Sequence, residues 1–340
     1  MDTMRTLLAV IAGAMLVPLP ASGHHSPTDF SRDSQITLQG TISRLDWRNP
    51  HVYIYIDVTD GAGEQREWMI ETDPVSILTR NGWSTKSIAP GDLVTVRANP
   101  DRNPQRNHAL LLSIALENGA VLTPRSDGVA VASRAPSLSG VWDAMRGFTQ
   151  RRNVDRGSDD VVTTEKGRAA QLAYSVTAIP TAECIPYPTP FLPLMPYLNE
   201  IELREDTVII RSEFFDVDRT VYMDGRGHPE NGARTNQGHS IGRWEGDVLV
   251  VDTTRFEDHR IGNNIPLTDT RGIPSGAQRH VVERYRLSED RTRLLIDFVV
   301  EDPEYLTKPL TAHIEWDYAP ALELLPVDCD PEQARRFTFQ

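Results

Sequence analysis

Four side chains in the second half of the chain have the types that acid/base chemistry needs: Glu213, His239, Arg243 and Glu283. A carboxylate whose pKa is raised by burial, set beside an imidazole, suits isomerisation, dehydration or hydrolysis of a small apolar substrate. Arg219, Tyr222, Tyr285 and Trp244 accompany them as groups that would orient a bound molecule. All eight fall in alternating strand patterns. In "GHSIGRW" His239, Ile241 and Arg243 share one face, opposite Ser240 and Trp244. In "VVERYR" Glu283 and Tyr285 oppose Val282, Arg284 and Arg286. A barrel that buries one face of such strands gathers Glu, Arg, His and Tyr inside it, where they must pair because unpaired buried charge is costly. The expected function is binding of a small apolar ligand in this barrel. The rivals are an acid/base enzyme built on the first four residues, and a structural or interaction module of the cell envelope.

A second chemistry is suggested by "PASGHHSP". The apolar run "TLLAVIAGAMLVPLP" has the length of a signal-peptide core and is too short and Pro-broken to span a bilayer comfortably. Cleavage after Gly23 makes His24 the new amino terminus, and its amine and imidazole, with His25 or His51, would chelate copper. Cleavage after Ala21 instead puts His24 third, where amine, backbone nitrogens and imidazole surround Cu(II). His51 in "WRNPH" also reads as a turn residue, and His228 and His259 as surface histidines of turn-rich segments. No cofactor is otherwise implied.

The elements that must position these residues are strands. The expected division is a signal peptide at 1–23, a β domain at 24–122, a linker at 123–137 and a second β domain at 138–340. The first shows about five strands and one short helix, from Asp73 as N-cap to a stop at Asn81-Gly82, the inventory of a small barrel of the oligonucleotide/oligosaccharide-binding type. In the second, one helix over "TTEKGRAAQLAYSV" and a proline-dense stretch precede about eight antiparallel strands from Tyr197 onward. That series suits an up-and-down barrel. The fold class is therefore all-β.

The runs "HHS", "GTISRLDWRNPHVYIYIDV", "NGW" and "PGDLVTV" resemble a family of exported bacterial proteins of unknown function. The block "GHSIGRWEGDVLVVDTT", with "VVERYRL" and "EDPEYLTKPLTAHIEW", resembles a second module of such secreted proteins. "SGVW" at 139–142 is similar to the Gly-x-Trp that opens lipocalin-like barrels, which implies a calycin-like second domain. Neither family resemblance implies an activity.

Composition removes several classes. A formal charge of -13, with no Lys/Arg cluster, excludes a dedicated nucleic-acid binder. Beyond the leader no stretch is apolar enough to cross a bilayer. Cys184 and Cys329 are the whole cysteine inventory, which in an exported chain points to a disulfide tying the proline-rich stretch to the C-terminal tail. Nucleophile-elbow, zinc-helix, Walker and dinucleotide motifs are missing from the sequence.

Overall fold

The computed structural model describes residues 30–59, 61–125, 133–144, 155–156, 163–174, 179–264 and 272–336. The expected leader and the His24–His25 pair lie outside them, as does the middle of the expected linker.

The first barrel is built from β1 (Ile36–Asp46), β2 (Tyr53–Thr59), β3 (Gln65–Glu71), β4 (Leu93–Pro100) and β5 (His108–Leu116), with β6 (Val121–Leu122) at its edge. β1 pairs with both β2 and β4, β4 with β5, and β3 closes the ring by running parallel to β5. The five strands and the helix α1 (Val75–Arg80) are those expected. The helix start differs. Asp73 does not cap it but pairs with Arg125 at the entrance to the linker, and the amide of Val75 donates to Asn49 Oδ1 instead. On β2, Val52, Ile54 and Ile56 fill the core as alternation requires, but Tyr53 and Tyr55 on the other face are buried as well. The C-terminal tail covers that face, and Arg336 donates to Tyr55 Oη at 2.8 Å.

The second barrel contains β7 (Gly140–Asp143), β9 (Leu198–Leu203), β10 (Thr207–Ser212), β11 (Val217–Tyr222), β12 (His239–Glu245), β13 (Val248–Thr254), β14 (His280–Leu287), β15 (Arg293–Glu301) and β16 (Leu310–Tyr318). Short β8 (Asp155–Arg156) hangs on β16, and α2 (Glu165–Ala173) falls where the helix was expected, capped by the Thr164 hydroxyl. Nine strands close in chain order, because β7 seals the gap between β9 and β16. The ring is one strand larger than the series from Tyr197 suggested, and the "SGVW" stretch supplies the extra strand. Gly140 has φ +134°, and a Cβ there would lie 2.8 Å from the Tyr318 ring, so a side chain at this position would clash. Trp142 packs against the same ring and is fully buried.

One junction departs from the up-and-down pattern. β11 and β12 are parallel, with Val221 opposite Ser240. The glycine-rich segment 223–238 is therefore a return connection along the barrel and not a hairpin.

The disulfide Cys184–Cys329 is present, with Cα atoms 5.9 Å apart. It anchors a tail that straps the two barrels together. Beyond it, Asp330 pairs with Arg48, and the Gln333 side chain of α3 (Pro331–Arg335) donates to the His51 carbonyl.

Candidate functional site

The inward face of β14 runs through Val281, Glu283 and Tyr285, and the residue before the strand, Arg279, continues the same parity. Their neighbours across the ladder are inward too: Thr253 opposite Val281, Ser240 opposite Thr253, and Phe298 opposite Glu283. Arg219 reaches in from β11. Its guanidinium pairs with Glu283, donates through Nε to Ser240 Oγ at 2.9 Å and through Nη2 to Thr253 Oγ1 at 2.7 Å. Tyr285 completes the group by donating to Glu283 Oε1 at 2.7 Å. Burial works against the Arg219 charge, but Glu283 outweighs it and the pKa rises; burial and the Glu283 charge push the Tyr285 hydroxyl far up. Arg219 thus stays charged and Tyr285 neutral. This is a paired network at the centre of an apolar barrel.

Arg279 differs from it. Its guanidinium is as buried as the core, yet among the described residues none of its nitrogens meets a hydrogen-bond acceptor. It lies over the Phe256 ring at 4.7 Å, with the Phe191 ring at 5.7 Å. Burial lowers its pKa to about 9 against the support of Asp302 and Glu283. The Asp302 carboxylate is already engaged, accepting from the Asn263 amide at 2.7 Å, from the Gly276 N–H at 2.8 Å and from the Glu304 N–H. His259 shares this end of the barrel. It is buried and not a surface residue, and burial together with the Arg279 charge pushes it down to about 4, so it is neutral.

The other residues singled out in the sequence do not join this interior. Because Ser240 points inward, His239 and Arg243 point outward. Arg243 pairs with exposed Glu245. Trp244 has the inward parity but sits 46% exposed at the strand's end. Tyr222 stacks on His239 and is covered by Arg226. His239 Nδ1 lies 2.9 Å from His228 Nδ1, whose other nitrogen donates to Asp252, and His280 bridges Asp252 to Glu301. The Asp252 hydrogen bond raises His280 to about 9, whereas burial and the His228 charge lower His239. Glu213 is buried at the junction of the barrels, paired with Arg80 and accepting the Leu325 N–H at 2.8 Å. The four residues named for acid/base work therefore lie in three separate places.

His51 belongs to a buried carboxylate cluster. Its Nδ1–H donates to the Thr72 carbonyl at 2.8 Å and lies 3.2 Å from Glu71 Oε1. His108 Nε2 is 3.4 Å from Glu71 Oε2, and its Nδ1 is 3.2 Å from Asp101. A metal held by His51 would have to use Nε2, since Nδ1 serves the backbone. Among the described residues no three His, Cys, Asp or Glu side chains stand in metal-holding geometry. His24 and His25 lie outside those residues, and the copper chelate with them.

Burial opposes the Glu71 charge, but the hydrogen bonds from His108 and His51 overcome it and bring the pKa to about 2, from an ordinary 4.5. A depressed carboxylate stabilises the fold above its unfolded pKa and loses that contribution as pH falls through the folded one. Between pH 6 and pH 2.5 wild type is expected to lose roughly 2 kcal/mol more than Glu71→Gln. Urea midpoints at the two pH values measure this, and parallel losses in both proteins would contradict it.

Arg279 carried a sequence signal: it is the residue before "HVVERYR" with the parity of Glu283 and Tyr285. Asp252 and His280 carried none, because the ladder between β13 and β14 brings them together, and His228 reaches Asp252 from the connection before β12.

Residues 13–110 match the model of a family of unknown function, DUF6152. The match covers the end of the expected leader and most of the first barrel, and it agrees with the resemblance of that module to proteins without an assigned activity. No curated protein matches the chain.

Proposed function

We propose that this is an exported protein whose C-terminal barrel binds a small, largely apolar molecule bearing a polar acceptor. One observation carries the reading: Arg279 is buried at one end of a closed barrel with none of its guanidinium nitrogens hydrogen-bonded among the described residues. Such a group costs several kcal/mol unless an acceptor meets it. The surrounding wall of Phe191, Phe256 and Phe298 suits an apolar body. Export is supported by the leader pattern and by the disulfide, which persists in oxidising compartments.

The enzyme reading finds less support, since His239 lies on the outer face and Glu283 on the inner one. Native mass spectrometry of protein secreted into an oxidising compartment and purified without detergent tests the binding reading. The expected spectrum carries a non-covalent adduct that collisional activation removes. Only the bare mature mass, after mild purification from its own host, would contradict it.

A further inference from the structure

The choice of ligand class turns on charge. Inside the barrel Arg219 is matched by Glu283, with Ser240 and Thr253 taking further N–H groups. Arg219 leaves one nitrogen, Nη1, without an acceptor, whereas Arg279 leaves all three of its guanidinium nitrogens without one among the described residues. Its nearest carboxylate support comes from Asp302, whose oxygens are already held by Asn263, Gly276 and Glu304, and from Glu283, which is held by Arg219 and Tyr285. The two phenyl rings stabilise the cation through their faces but accept none of its N–H bonds in the guanidinium plane. What is missing is therefore a planar acceptor for the guanidinium N–H groups. A carboxylate meets this need best, because its two oxygens fit the guanidinium fork. An alcohol, ester or amide supplies an acceptor without the charge.

Resting on the binding reading above, we propose that the ligand is a monocarboxylate with an apolar tail, its carboxylate seated on Arg279 and its tail among Phe191, Phe256 and Phe298. The position is built for discrimination. A cation would meet Arg279 head-on, and a neutral ligand would offer the guanidinium fork weaker acceptors than a carboxylate.

The test uses the full-length oxidised protein, freed of carried-over ligand, with decanoate, decanamide and decylammonium as probes in isothermal titration. Decanoate is expected to bind at least about tenfold more tightly than decanamide, the effect of a charge-assisted hydrogen bond. Decylammonium is expected not to bind. In Arg279→Met the preference for decanoate disappears, while the ligand-free variant melts no lower than wild type because a buried unpaired charge has gone. Equal binding of decanoate and decanamide to wild type would overturn the carboxylate assignment and leave the binding reading standing. Failure of every probe to bind would overturn both. An Arg279→Met protein that melts lower and keeps the preference would make Arg279 a structural residue and end the proposal. The wild-type comparison needs no variant to fold.

Discussion

Replacing Glu283 by alanine is expected to destabilise the C-terminal barrel by about 3–5 kcal/mol, the largest single-residue effect in the molecule. The side chain is fully buried and holds three partners at once. It neutralises Arg219, accepts from Tyr285 and adds to the field that supports Arg279. Its removal leaves the buried Arg219 guanidinium without its carboxylate and Arg279 with the support of Asp302 alone. The cost comes from that stranded charge and not from the lost pair as such, because a buried pair roughly balances its own desolvation. The double variant Arg219→Met, Glu283→Leu is therefore expected to recover most of the loss. Urea unfolding monitored by the fluorescence of buried Trp142 and Trp316 measures both proteins. A double variant no more stable than Glu283→Ala would contradict this account of the network.

Removing the Cys184–Cys329 disulfide by paired alanine substitution is expected to cost about 4–5 kcal/mol on the loop-entropy argument, less any strain the bond carries. The two cysteines are 145 residues apart, and the loop they close contains the entire second barrel wall from β9 to β16. The effect should extend to the first barrel. Cys329 fixes the start of the strap that places Asp330 on Arg48, Gln333 on the His51 carbonyl and Arg336 on Asp46 and Tyr55. Amide exchange of β2 and of α3 should accelerate in the variant, together with a lower urea midpoint. Unchanged exchange in β2 would show that the strap holds without its anchor.

The strands were legible because their patterning is strong. Ile54, Ile56, Val94 and Val96 alternate cleanly, and the sequence pairs them with the turn signals Asp60-Gly61 and Glu245-Gly246-Asp247. The parity of Glu283, Tyr285, Ser240 and His239 was equally readable: the structure keeps Glu283 and Tyr285 on one face and sets Ser240 opposite His239, as alternation requires. What alternation cannot reveal is which face of β12 points inward. Ser240 and His239 are both polar, so the choice depends on Arg219 from another strand. Tertiary contacts account for the other departures. Tyr53 and Tyr55 are buried by a tail some 280 positions away in sequence, and Glu213 is claimed by Arg80 of the other barrel. The parallel step between β11 and β12 was hidden because "DGRGHPENG" has the composition of a turn whether it reverses the chain or returns it.

Electron density from crystals of ligand-retaining full-length protein tests the central claim most directly. The account predicts a non-protein molecule inside the nine-stranded barrel, with an oxygen acceptor within hydrogen-bond distance of the Arg279 guanidinium and its body against Phe191 and Phe256. A barrel interior filled by side chains alone, with ordered water pairing every nitrogen of Arg279, would contradict it.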